Sequence, residues 1–361
     1  MNNRRTTKAT LLLEDGSRYT GRVFGCKKQS VAGEIVFTTG MVGYSESLTD
    51  PSYRGQILVM TYPLIGNYGV ECSQAQSRSL DESFESERIQ ASALIVSSQI
   101  TKPSHYKSAR SLEQWLASEK IIGLEGIDTR SLTQRLREHG TMLAKIIIDD
   151  NDIPWFDPNK QNIVEQVSSP RIRRYGSRGP HVVVIDCGAK RGIIRELCQR
   201  SCRVTRVPWN YPVSTMRGID GVVVSNGPGN PVYASETVDE LKRLIKLRIP
   251  LWGICLGHQL LAMALGARTY KLAYGHRSQN QPVIDIKSGR AFITSQNHGF
   301  AVRESTLPSS ARPWFRNGND GTNEGFKHST QPIWGVQFHP EASPGPRDTA
   351  FLFDEFINLL K

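Results

Sequence analysis

The stretch Pro250-Leu251-Trp252-Gly253-Ile254-Cys255-Leu256-Gly257-His258-Gln259 decides how the second half of this 361-residue chain folds. The run from Ile249 to Ile254 reads as a strand buried on both faces, and the Ala/Leu-rich run from Gln259 to Leu265 reads as a helix. Between them stands Gly253-x-Cys255-x-Gly257, the spacing of a sharp strand-to-helix turn with a thiol at its apex. Glycines flank the thiol because such a turn leaves no space for side chains. The helix N-terminus behind Cys255 favours negative charge, so the pattern predicts an exposed nucleophilic thiolate rather than a packed core cysteine.

Working outward, His181 to Asp186 and Gly221 to Ser225 are further apolar runs, and Arg191 to Cys202 is an amphipathic helix between them. Buried strands alternating with helices imply a doubly wound, mostly parallel sheet covered on both faces. The turn Asp186-Cys187-Gly188-Ala189-Lys190 lacks the GxGxxG spacing of a dinucleotide site, and no phosphate-cradling loop occurs anywhere in the chain. The first half reads differently. Lys8 to Leu13, the turn Glu14-Asp15-Gly16-Ser17 and Arg18 to Phe24 form a hairpin, and Glu34 to Thr38 and Gln56 to Thr61 add short strands. Two helices follow, Ser111 to Glu119 and Thr129 to Glu138, with Ser111 and Asp128 or Thr129 placed to cap them. The expected class is therefore α/β, with a β-rich α+β N-terminal domain at 1–150 and the doubly wound domain at 180–361. Residues 151–179, with Pro154, Pro158 and Pro170, read as a linker holding a short helix around Asn162 to Val167.

Composition narrows the function classes. With 38% hydrophobic residues the chain has ample core for two domains. No apolar run approaches the roughly eighteen residues of a membrane span, and the N-terminus lacks the apolar stretch of a signal peptide. A cytoplasmic protein is expected, with Arg4, Arg5 and Lys8 leaving organellar import open. Six scattered cysteines (Cys26, Cys72, Cys187, Cys198, Cys202, Cys255) show neither a disulfide framework nor a zinc pattern; Cys198 and Cys202, four apart on the expected helix, are read as core thiols. The formal charge of +11 concentrates partly at Arg171, Arg173, Arg174 and Arg178, where Tyr175 is the one stacking aromatic. That composition suits a solvated linker or a protein-docking surface better than a nucleic-acid module.

Two further motifs complete a chemistry. Ile333 to Phe338 reads as a strand that delivers His339-Pro340-Glu341, and in an extended chain residues two apart share a side. Glu341 can then hold one imidazole nitrogen of His339 while the other faces a thiol, the arrangement of a nucleophile, base and orienting acid. Ser225-Asn226-Gly227-Pro228-Gly229-Asn230-Pro231 follows a strand, and its glycines and prolines fix a loop whose N–H groups, with that of Leu256, could converge on an oxyanion.

Taken together, SNGPGNP, GICLGHQ, SQNHGF and FHPE resemble the class I (triad) glutamine amidotransferases. The resemblance implies hydrolysis of the glutamine side-chain amide, with Cys255 as nucleophile, His339 as general base and then acid, and Glu341 orienting it. It further implies glutamine contacts at Gly227, Gly229, Leu256, Gln259, Asn297, Gly299 and Phe300. In the first half, residues 33–44, 48–53, 62–67 and 126–130 resemble the N-terminal domain of carbamoyl phosphate synthetase small subunits, and Ala342 to Pro346 is also typical of them. By that likeness Ser52 reaches the glutamine site. The resemblance implies a large-subunit partner that holds ATP and Mg²⁺, with no cofactor in this chain, no metal, no nucleic acid and no membrane contact. Gly192, where the family often has Asn, and Ala144-Lys145 depart from the common pattern without touching the triad. The competing expectation, a subunit of another class I glutamine-dependent synthase, is disfavoured by the first-half motifs.

Overall fold

The computed structural model describes residues 7–72, 80 and 83–360, and the Arg4-Arg5 tail lies outside them. The chain divides into two compact units, Met1–Lys160 and Gln161–Lys361.

In the first unit, seven strands among the described residues close into a barrel: β1 (Lys8–Leu13), β2 (Arg18–Gly25), β3 (Val31–Thr38), β4 (Gln56–Met60), β5 (Ala93–Ile95), β6 (Ile122–Glu125) and β7 (Met142–Ile148), in the order β1-β2-β6-β5-β4-β3-β7. β3 through β6 run parallel as neighbours, while β1, β2 and β7 close the barrel antiparallel. The expected hairpin joins β1 and β2 through Gly16, whose φ of 86° suits a residue without a Cβ. Period-two alternation sorts the strands into two cores. Leu11, Val23, Ile35, Ile57 and Leu124 pack with Leu132 and Leu136 of α3 (Thr129–His139). Phe24, Val36 and Leu58, immediate neighbours of Val23, Ile35 and Ile57, and Leu94 of β5 pack with Leu48 of α1 (Tyr44–Thr49) and Trp115 of α2 (Leu112–Ser118). Ser111 closes a capping box on α2 with Gln114, and the Asp128 side chain accepts the Ser131 N–H of α3.

The second unit carries a ten-stranded sheet among the described residues. Its centre is parallel: β10 (Arg203–Pro208), β9 (His181–Asp186), β11 (Gly221–Val224), β12 (Leu251–Ile254) and β17 (Ile333–Val336). Helices α4 (Arg191–Gln199), α5 (Ser235–Lys246) and α6 (Leu256–Ala264) connect or follow these strands, and α7 (Phe351–Asn358) ends the unit. An antiparallel extension of β13 (Thr269–Asp285), β14 (Ala291–Val302), β15 (Ala311–Asn317) and β16 (Asn323–His328) grows from β17. On the far edge β8 (Arg173–Tyr175) pairs antiparallel with β10.

Three sequence expectations change here. The segment read as a linker is shared between the units, and its basic stretch extends the sheet as edge strand β8, because Arg173 to Tyr175 find backbone partners on β10. Cys202 does not lie on the helix with Cys198: α4 stops at Gln199, and the Cys202 N–H turns back to the Leu197 carbonyl at 3.1 Å. The expected helix near Asn162 to Val167 is a single 3₁₀ turn, Val164–Gln166.

Leu11 is fully buried in the barrel. Leu11→Ala should lower the stability of the first unit by about 2–5 kcal/mol through lost burial and the cavity left behind, read as an earlier denaturant midpoint for that unit.

Candidate active site

Four functional segments of the second unit lie at or just beyond the carboxyl end of a central parallel strand, where open α/β sheets place their ligand crevices, while Asn297, Gly299 and Phe300 lie within antiparallel β14. β9 leads to Asp186–Lys190, β11 to the loop 225–231, β12 to Cys255 and β17 to His339.

Cys255 sits between β12 and α6 with φ 54° and ψ −105°, a backbone state that a residue with a Cβ rarely adopts. Such strain costs about 1–3 kcal/mol and persists only where the surroundings enforce it. They do so from both sides. The Cys255 N–H donates to the Val336 carbonyl of β17 at 2.8 Å, and the Gly257 N–H donates to the Ser225 carbonyl at 3.0 Å. A Cβ at Gly253 would stand 2.4 Å from the Gly257 carbonyl oxygen, and one at Gly257 would stand 2.1 Å from that of Val224, so both flanking glycines are required by close approach.

His339 is reached by a route other than the extended one expected. The chain turns at 339–341, with the Ala342 N–H donating to the His339 carbonyl at 3.0 Å, and this turn swings the Glu341 carboxylate to 2.6 Å from His339 Nδ1. The His339 N–H donates to the Ser295 carbonyl of β14 at 2.9 Å. Cys255, His339 and Glu341 are all buried, so the thiol expected to be exposed is instead enclosed at the turn. Burial alone would push the imidazole down, but the Glu341 carboxylate and the Cys255 sulfur outweigh it, with Lys190 opposing them, and the proton is held more tightly than in free histidine. Burial works against the Glu341 carboxylate too, yet Lys190 and His339 bring its pKa down to about 2.

The structure gathers most residues that the sequence nominated in this unit. Cys255 Sγ lies 3.7 Å from the Asn297 carbonyl oxygen, and Gln259 Nε2 donates to the Phe300 carbonyl at 2.8 Å. Gly227 is pressed against Leu256 and the Cys187 carbonyl: a Cβ there would meet them at 2.8 and 2.0 Å. Gly229 has φ 82°, and a Cβ on Gly299 would stand 3.0 Å from the Arg277 guanidinium. Ser52 belongs to the first unit, where its N–H donates to the Asp50 side chain at 2.9 Å within a 3₁₀ turn.

Two participants escaped the sequence reading. Lys190 Nζ lies 3.3 Å from Glu341 Oε1 with both side chains buried. Gln337 links Gln259 Nε2 at 3.1 Å to the Cys255 sulfur at 3.7 Å. A lysine in the tight turn after a buried strand was a usable signal for the first; nothing in the pattern marks Gln337. Among the described residues one group has metal-ligand composition, His276, His298 and Glu324, with potential ligand atoms within 4.8 Å of one another. His276 is engaged by Asp320 at 2.9 Å and Glu324 at 3.4 Å, and His298 by the Phe300 carbonyl and Gln296, so the cluster reads as an ion-pair and hydrogen-bond network.

A cysteine on the strand-to-helix turn of a doubly wound sheet, with a His-Glu pair beyond the neighbouring strand β17, defines a triad amidotransferase domain. Residues 183–359 match the family described as glutamine amidotransferase class-I, and residues 11–146 match carbamoyl-phosphate synthase small chain, CPSase domain. The chain is 48% identical to a carbamoyl phosphate synthase arginine-specific small chain of Neurospora crassa, covering 97% of this chain and 79% of that protein. It is 46% identical to the protein of that name from Aspergillus oryzae, over 98% and 80%. It is also 49% identical to the multifunctional protein CAD of Squalus acanthias, covering 97% of this chain and 16% of CAD. The chain belongs to the carbamoyl-phosphate synthase small-chain family.

The lowered Glu341 pKa fixes a sign for acid stability. A carboxylate whose folded pKa is depressed contributes stability above its unfolded value of 4.5, lost as the pH falls toward about 2. The urea midpoint of the second unit should fall between pH 5 and about pH 2.5, and Glu341→Gln should flatten that fall.

Proposed function

We propose that this chain is the glutaminase subunit of a glutamine-dependent carbamoyl phosphate synthase, converting L-glutamine to glutamate and ammonia for a large synthetase subunit. The single observation that carries the reading is the buried Cys255-His339-Glu341 array with its 2.6 Å imidazole–carboxylate contact. In the proposed cycle, Cys255 Sγ attacks the side-chain amide carbon, and N–H groups of the loop at Gly227–Gly229 and of Leu256 receive the oxyanion. His339 passes its proton to the leaving amine, so the C–N bond breaks, ammonia departs and a glutamyl thioester remains. His339 then takes a proton from water as it attacks the thioester, and glutamate is released with the thiol restored. Gln259, Asn297, Gly299 and Phe300 would line the glutamine.

No phosphate-cradling loop occurs in the sequence, so ATP and Mg²⁺ are assigned to the large subunit, which would activate bicarbonate and phosphorylate carbamate. The product would serve arginine or pyrimidine synthesis; the names of the fungal relatives favour the first and CAD admits the second. Among the described residues no helix is long and apolar enough to cross a membrane.

Cys255→Ala should abolish glutamine hydrolysis with the circular dichroism spectrum unchanged. Retention of most glutaminase activity would refute the nucleophile. The wild-type chain alone should release ammonia slowly and form no carbamoyl phosphate, while the large subunit with ATP and bicarbonate should raise the glutaminase rate; an unchanged rate in the complex would refute the coupling.

A further inference from the structure

Asp186, fully buried at the end of β9, makes no contact with the triad, yet five hydrogen-bond donors converge on its carboxylate. One oxygen accepts the N–H groups of Gly188 at 3.0 Å and Ala189 at 2.7 Å. The other accepts the Ser169 N–H at 2.6 Å and two guanidinium nitrogens of Arg206 on β10, at 2.7 and 2.6 Å. Charge-assisted bonds of this kind are about twice as strong as neutral ones and hold a backbone accordingly. The turn so fixed does two things. It carries Lys190, whose Nζ faces Glu341 at 3.3 Å. It also forms the seat of the loop 225–231: the Cys187 N–H donates to Ser225 Oγ at 3.0 Å, the Lys190 N–H donates to Asn226 Oδ1 at 3.0 Å, and Gly227 rests on the Cys187 carbonyl.

We infer that Asp186, clamped by Arg206, is a positioning residue for glutamine hydrolysis: it holds the 187–190 turn that aims Lys190 at the triad carboxylate and sets the height of the oxyanion loop. This rests on the glutaminase reading. The carboxylate rather than an amide is required, because an amide would offer hydrogens toward at least one of the N–H groups it now accepts from. Without it the turn relaxes, Lys190 withdraws, and the imidazolium of His339 loses a repulsive neighbour.

The test compares Asp186→Asn, Lys190→Met and the double variant in the full chain. It measures kcat and KM for glutamine across pH, and the rate of Cys255 alkylation by iodoacetamide across pH as a readout that needs no turnover. Asp186→Asn should lower kcat by up to about a hundredfold, the scale of a misplacement of about 1 Å, with KM within about twofold. Its low-pH limb should move upward, in the direction Lys190→Met moves it, and the alkylation profile should follow. The double variant should be no worse than the worse single one, since both act through one turn. Wild-type kcat and profiles in Asp186→Asn, or multiplying defects in the double variant, would overturn the inference. Should Asp186→Asn fail to fold, Arg206→Lys, which keeps the charge but loses the two-pronged grip, should show the same upward shift at smaller size, and a wild-type profile there would overturn it. A wild-type chain that releases no ammonia while its alkylation profile still shifts in Asp186→Asn would instead count against the glutaminase reading alone.

Discussion

A cysteine backbone held at φ 54° between two glycines is the constraint from which the second unit is best understood. The conformation is unfavourable by itself, so the sheet must supply the difference. Three parallel neighbours do this. The residue after β11 contributes the Ser225 carbonyl that takes the Gly257 N–H, β17 contributes the Val336 carbonyl that takes the Cys255 N–H, and β12 between them carries the chain into the turn. The strands that brace the nucleophile therefore also deliver the oxyanion loop and the histidine. Register fixes all three segments at one level, because Val224 pairs with Gly253 and Ile254 pairs with Val336.

Around this turn lies a short buried chain of charge from Lys190 through Glu341 to His339. Burial opposes each ionised group, and mutual contact offsets that opposition. The result is a carboxylate that stays ionised and an imidazole that keeps its proton more readily than in water. Another buried histidine next to the nucleophile shows what happens without such partners: His258 is pushed down to about 3 by burial and stays neutral. Gly335 crowds it, since a Cβ there would lie 2.7 Å from its Nδ1. Position relative to a carboxylate separates the catalytic histidine from the structural one.

In the first unit Glu34 on β3, one of several buried acids, accepts from Gln56 at 2.8 Å, Asn159 at 3.1 Å and Thr141 at 3.2 Å. A charge so enclosed stays tolerable when several donors surround it. This network ties three distant stretches to the barrel wall, including Asn159 from the segment the sequence presents as a linker. The departure at Lys145 is accommodated locally: its ammonium reaches Asp152 at 2.9 Å and lies 4.4 Å from the Trp155 ring.

The sequence by itself determined the elements whose cause is local. Apolar runs marked β9, β11 and β12, the Gly-x-Cys-x-Gly spacing marked the elbow, and Ser111 and Asp128 marked their helix starts, because periodicity, glycine tolerance and capping act within a few residues. What tertiary structure alone decided are relations between residues far apart in the chain. Closure of the first seven strands into a barrel depends on β1 pairing with β7, about 130 residues later. The pairing of Lys190 with Glu341 and the bridge from Gln337 to Cys255 depend on which strands become neighbours. The His339–Glu341 contact was foreseen, but for a geometry the chain does not use: a turn makes it, not an extended strand. A spacing of two residues permits either conformation, and packing against Ser295 on β14 selects the turn.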